Sequence, residues 1–107
     1  TYIDNVVDAN LRAATAEGAA GHAFNVACGA SWTLNEVIDQ LREIIGVEGD
    51  ISYGPPLSGD VPKTLASTQK ARNLLGYEPL VDAREGLERT VAWYREVALA
   101  KPTQQIT

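Results

Sequence analysis

The sequence predicts an α/β domain of about four helices and two or three short strands. Three observations predict it. Apolar residues recur at the spacing of an amphipathic helix in four separate windows. Two of those windows open on a capping pattern, Thr33-x-x-Glu36 and Asp82-x-x-Glu85. Between the helical windows lie short runs, His22–Ala27 and Ile51–Tyr53, whose apolar residues alternate as in a strand.

Asp4 or Asn5 is placed to cap a first helix running to about Glu17, with Val6, Val7, Leu11 and Ala14 as its buried face. Asp8 and Arg12 form an i,i+4 pair on it. Gly18 and Gly21 bracket a turn, and in the strand that follows Phe24 and Val26 share one face. In the second helix Thr33 is the N-cap, Glu36 closes the capping box, and Trp32 and Val37 stand at the two positions of a hydrophobic staple. Leu34, Val37, Ile38, Leu41, Ile44 and Ile45 give its apolar repeat, and Gly46 suits a left-handed stop. Ser67 is a cap for a third helix with Ala71, Leu74 and Leu75 buried and Gly76 ending it. Asp82 opens the last helix, whose inner face is Leu87, Val91, Tyr94 and Ala98; Gly86 weakens its first turn slightly. From Lys101 the chain is polar and is expected to fray.

The stretch Tyr53-Gly54-Pro55-Pro56-Leu57-Ser58-Gly59-Asp60-Val61-Pro62-Lys63 is neither helix nor strand. It holds three of the five prolines and two of the nine glycines, so its path is set by backbone stereochemistry. On composition alone it reads as a connector between a strand and a helix. A rigid loop that presents a few polar groups on a scaffold is also a common way to build a ligand site. Asp60 either caps a turn of its own loop or accepts hydrogen bonds from vicinal hydroxyls, and spacing does not separate the two.

The totals narrow the function classes. At 107 residues the chain is one domain with a modest core. A net charge of −5 argues against a general nucleic-acid binder. No apolar run approaches the ~20 residues that span a bilayer, and no signal peptide is visible. The single cysteine, Cys28, excludes an internal disulfide and fits a reducing, cytoplasmic setting. One cysteine and one histidine assemble no metal cluster, and a Cys28–His22 nucleophilic pair has no third orienting group, so Cys28 reads as a small buried side chain. No glycine-rich dinucleotide fingerprint is present: Gly18 and Gly21 follow a helix, and Phe24 stands where a third glycine belongs. None of the four tyrosines has a lysine four residues on. The chain contains no methionine, which leads to the expectation of a fragment whose function belongs to a longer parent.

Four stretches together resemble the C-terminal part of an NAD-dependent nucleotide-sugar epimerase or dehydratase of the extended short-chain dehydrogenase/reductase family. They are residues 1–11 (Thr-Tyr-Ile-Asp-Asn-Val-Val-Asp-Ala-Asn-Leu), Phe24–Gly29, the loop Tyr53–Pro56 with Gly59-Asp60-Val61, and Lys70-Ala71 with Leu74–Pro79. The subgroup most resembled is the UDP-glucose and UDP-N-acetylglucosamine 4-epimerases. The resemblance implies that residues 1–100 are the small substrate-binding domain, 101–107 a tail, and that an N-terminal Rossmann domain carrying NAD and a catalytic Tyr-x-x-x-Lys pair is missing. It implies a UDP-sugar as ligand, the Rossmann domain as partner, and neither nucleic acid nor membrane. In the parent, C4 of the sugar is oxidised and then reduced with inversion. The fragment itself is expected to bind without catalysing.

By the same resemblance Asp60 inherits contact with the uridine ribose. Leu57 stands where the family carries an arginine to the diphosphate, and leucine neither neutralises a phosphate nor donates a fork of hydrogen bonds. Pro62 occupies another commonly basic place, leaving Lys63 as the nearest cation; Asn25 and Tyr2 match positions near the substrate face. Two other readings stand beside this one. One is a non-catalytic module that self-associates through the face a Rossmann domain would cover. The other is a dehydratase or decarboxylase parent, which shares every feature above.

Overall fold

All four helices that the periodicity predicts are formed. The computed structural model describes residues 1–60 and 63–100, so Val61, Pro62 and the tail from Lys101 lie outside the described residues. The helices are α1 (Ile3–Thr15), α2 (Leu34–Ile45), α3 (Gln69–Leu75) and α4 (Ala83–Trp93), and a five-residue π-helical turn, Tyr94–Ala98, continues α4. They pack in two pairs, α1 on α3 and α2 on α4.

The capping signals that sequence predicts for α2 and α4 are in place. Thr33 Oγ1 accepts from the Glu36 N–H at 3.1 Å, and the Glu36 carboxylate accepts from the Thr33 N–H at 2.6 Å. Asp82 accepts from the Glu85 N–H at 2.8 Å. Gly46 and Gly76 close α2 and α3 in the left-handed conformation. α3 differs by one residue: Thr68 is its N-cap, with no side-chain capping bond, while Ser67 accepts from the Gln69 N–H at 3.4 Å.

α1 departs from expectation in its cap, its end and its face. Tyr2 precedes it without a side-chain cap, and the helix stops at Thr15 rather than Glu17. Asp4 reaches Arg89 of α4 instead, at 3.1 Å. The buried side chains are Asn5 and Ala9, with Ala13 and Ala16 packed behind them, whereas Val7, Leu11 and Ala14 are exposed and Val6 is half-buried. Small residues win here because α1 packs on α3 through a buried cluster that holds Ala9 and the wholly buried Ala71, and small side chains let two helices pack closely. The inner face of α4 is likewise shorter than expected: Val91 is buried and Leu87 half-buried, but Tyr94 is exposed.

Neither His22–Ala27 nor Ile51–Tyr53 forms a strand, and none is present among the described residues. The α/β expectation therefore holds only in its helical part. A strand exists by virtue of a hydrogen-bonded neighbour, and these two segments do not pair with each other. Side chains hold the first of them instead. Phe24 and Val26 pack on the core, as their alternation predicts, and the buried Tyr77 donates its hydroxyl to the Ala27 carbonyl at 2.7 Å.

One polar residue fastens the two ends of the chain together. Asn5, fully buried, donates from Nδ2 to the Val81 carbonyl at 2.8 Å and accepts on Oδ1 from the Leu80 and Val81 N–H groups at 2.8 and 3.0 Å. The turn that launches α4 is thereby seated on α1. α4 is tied to α2 by Arg84, which bonds Gln40 and Glu43 across the pair and Glu88 on its own helix. Arg95 then donates to the Ile45 carbonyl at 2.9 Å, satisfying the C-terminus of α2.

Candidate functional site

The proline-rich loop is held at both ends against the start of α2. Tyr53 donates its hydroxyl to Asn35 Oδ1 at 3.1 Å, and Ser31 donates to the Thr64 carbonyl at 3.3 Å. Between those anchors a turn runs from Leu57 to Asp60, closed by the Asp60 N–H on the Leu57 carbonyl at 3.3 Å, with Gly59 at φ +91°. The main chain closes this turn, so the Asp60 side chain is not needed to cap it. Its carboxylate is exposed and takes no hydrogen bond from the described residues. Leu57 is 72% exposed and Lys63 is exposed.

The other two predicted site residues belong to other segments of the chain. Asn25 is exposed on the segment between the inward-facing Phe24 and Val26. Tyr2 stands in the wall of an open pocket of about 420 Å³, with Cys28, Trp32, Val37, Gly86 and Thr90 among its lining residues. Both staple residues of α2, Trp32 and Val37, thus face this pocket. The Arg89 guanidinium lies 5.8 Å from the centre of the Tyr2 ring, and its pKa is raised, first by its hydrogen bond to Glu85. The structure therefore brings Leu57 and Asp60 into one turn, with Lys63 beyond it, and sets Tyr2 and Asn25 apart from that turn in its hydrogen bonding.

Sequence reasoning missed Gly86 and Tyr77. A Cβ on Gly86 would sit 2.9 Å from Tyr2 Cβ, a distance real contacts do not show. Its glycine is a packing requirement for Tyr2 rather than a weakness of the helix, and an isolated glycine inside a helical pattern is the signal that points to such an approach. Tyr77, just beyond the glycine that ends α3, is wholly buried, and burial raises the pKa of its phenol. Among the described residues no three His, Cys, Asp or Glu side chains stand together as a metal site, and no helix is long and apolar enough to cross a membrane.

No protein-family model matches the chain. Individual proteins do. The crystal structure of the UDP-glucose 4-epimerase of Thermotoga maritima, with UDP-glucose, superposes with a TM-score of 0.84 over 92% of this chain and 31% of that one, at 38% identity. Over most of its length the chain is similar to one part of nucleotide-sugar epimerases and dehydratases. The UDP-glucose 4-epimerase of Mycolicibacterium smegmatis is 32% identical over 94 residues, which is 88% of this chain and 30% of the relative. The dTDP-glucose 4,6-dehydratase of Streptomyces griseus is 30% identical over 87 residues, 80% of this chain and 26% of the relative. The chain thus spans about a third or less of the family members it matches. Its helical fold is one part of theirs.

Proposed function

We propose that residues 1–100 are the part of an NAD-dependent nucleotide-sugar 4-epimerase that holds the UDP-sugar, and that the remainder of the parent carries the cofactor and the chemistry. The observation that carries this reading is the match over 92% of the chain to an epimerase whose structure contains UDP-glucose. In this reading Asp60 accepts hydrogen bonds from the ribose hydroxyls, a task for which an exposed carboxylate on a turn closed by its own backbone is suited. Lys63 supplies positive charge to the diphosphate, where Leu57 supplies none. Tyr2 and Asn25 border the sugar-nucleotide face.

The described residues do not fit NAD. Gly18 and Gly21 follow α1 and open no helix, and at the start of α2 the capping box engages the N–H groups of Thr33 and Glu36. What this chain contributes is orientation of the nucleotide half of the substrate, which lowers the entropic part of a barrier crossed elsewhere.

Calorimetric titration of the chain with millimolar UDP-glucose tests the reading. Weak binding is expected, and Asp60→Ala is expected to weaken it about tenfold, the loss of one charge-assisted contact. Absence of heat at millimolar ligand, or an Asp60→Ala chain that binds as well as the unsubstituted one, overturns it. The Streptomyces griseus match favours a second reading, a dehydratase parent. Preference for dTDP-glucose over UDP-glucose in the same titration would support that one instead.

A further inference from the structure

We infer that Asn35, in the first turn of α2, is a positioning residue for Asp60: it latches the proline-rich loop through the Tyr53 hydroxyl. The inference deepens the reading above, that this loop borders a UDP-sugar, and rests on it. Residues 53–60 are all exposed, with Tyr53 at 78% and Leu57 at 72%, so burial does not fix where the loop lies. The bond between the Asp60 N–H and the Leu57 carbonyl shapes the turn without attaching it to anything. Among the described residues, the one hydrogen bond that joins residues 53–60 to the rest of the chain runs from the Tyr53 hydroxyl to Asn35 Oδ1, at 3.1 Å. The far end of the loop has its own tie, from Ser31 to the Thr64 carbonyl.

Both sides of this bond are stiff. Asn35 lies between Thr33 and Glu36, whose reciprocal capping bonds pin the start of α2. Beyond Tyr53 come Gly54, Pro55 and Pro56. Consecutive prolines restrict φ and make a semi-rigid spacer. A Tyr53 fixed on α2 therefore limits the places open to the turn at Leu57–Asp60, whereas a released Tyr53 lets spacer and turn swing as one piece. The bond is exposed and joins neutral groups, so it favours the latched loop by only about two- to tenfold. A ligand that needs Asp60 in its latched place gains at most that factor from the latch. Neither Asn35 nor Tyr53 needs to touch the ligand for this to hold.

Limited proteolysis of the ligand-free, 107-residue chain tests the latch. Chymotrypsin cuts after Leu57 only when the loop is free to enter its cleft, so the cutting rate follows the unlatched fraction. Tyr53→Phe keeps the ring and removes the hydroxyl; Asn35→Ala removes the acceptor. Each is expected to speed cutting after Leu57 about two- to tenfold, and the two together no more than either alone. Asn35→Asp retains an acceptor and is expected to be cut within about twofold of the unsubstituted rate. Gln69→Ala, which removes an equally exposed side-chain bond inside α3, is expected to leave the rate unchanged. Unchanged cutting in Tyr53→Phe, additive effects of the two exchanges, or an Asn35→Asp chain cut as fast as Asn35→Ala each overturn the latch. In UDP-glucose titration Tyr53→Phe and Asn35→Ala are each expected to weaken binding about two- to tenfold, again without adding. Faster cutting with unchanged affinity in both overturns the positioning role. An unsubstituted chain that binds no UDP-glucose, with the cutting pattern intact, sinks the ligand reading and leaves Asn35 as the residue that places Asp60.

Discussion

The junction of α1 with the turn before α4 and the proline-rich loop dispose of their polar groups in opposite ways. In the junction one buried amide, Asn5, makes three hydrogen bonds of 2.8–3.0 Å to the backbone at Leu80 and Val81. In the loop the backbone bonds itself, through Asp60 to Leu57, and the Asp60 carboxylate is left in solvent. The difference separates side chains that maintain the fold from side chains with capacity to spare. Substitutions in the first region are expected to cost stability and to leave no specific mark on ligand affinity. Substitutions in the second are expected to do the reverse.

Asn5→Ala is the largest expected effect. It leaves the buried N–H and carbonyl of Val81 and the part-buried N–H of Leu80 without their partner, and the penalty is expected to be about 3–5 kcal/mol. That is a large fraction of the ~5–15 kcal/mol that holds a domain folded. Urea denaturation followed by circular dichroism measures it. A loss under about 1 kcal/mol would mean that the turn before α4 is held by something other than Asn5.

Tyr77→Phe comes next. It removes the 2.7 Å bond to the Ala27 carbonyl and keeps the ring in place, so about 1–3 kcal/mol is expected. Its pH dependence has a definite sign. Burial raises the folded-state pKa of this phenol above its ordinary value of 10.0, which means the folded chain holds the proton more tightly than the unfolded one. That contribution is complete below pH ~10 and is lost as pH rises through the folded pKa. The difference in urea midpoint between the unsubstituted chain and Tyr77→Phe is therefore expected to shrink above pH ~10. A difference that stays constant to pH 11 would place the phenol in water. Asp82→Ala removes the bond to the Glu85 N–H and is expected to cost about 1 kcal/mol, a cap's usual share, in the same denaturation experiment.

The comparison also shows which features of the fold could be read in advance. Thr33, Glu36, Asp82, Gly46 and Gly76 act on neighbours three to five residues away, and local chemistry of that kind is legible in a sequence. Asn5 and Tyr77 act on residues 76 and 50 positions distant, and nothing local marks them. Asn5 in particular looks like a cap, because asparagine near a helix start usually is one. The buried face of α1 is hidden from the sequence for a related reason: hydrophobicity identifies the larger aliphatics, whereas close packing on α3 selects for small volume. The two strand-like runs have strand periodicity without a strand neighbour, and periodicity does not reveal the neighbour. In the loop, the anchors at Tyr53 and Ser31 and the main-chain bond that closes the turn from Leu57 to Asp60 emerge only from the structure, although proline and glycine content already marks the stretch.

Leu57→Arg is expected to have the smallest effect on the fold and an opposite one on binding. Leu57 is exposed in a turn closed by main-chain atoms, so the exchange removes no buried contact, and stability is expected to change by less than ~0.5 kcal/mol. If the loop lies along a nucleotide diphosphate, the new guanidinium gains a charge-assisted contact worth about 1.5–3 kcal/mol, which is a gain of roughly ten- to a hundredfold in UDP-glucose affinity. Calorimetry in low and high salt separates this from general attraction between a less acidic chain and an anion. A bidentate contact retains most of its gain when exposed charges are screened, whereas a diffuse one loses it. Raised affinity for inorganic phosphate and UDP-glucose alike, vanishing together in salt, would show that the turn does not border the diphosphate. The contrast between a junction built for folding and a loop free to bind would then lose its second half.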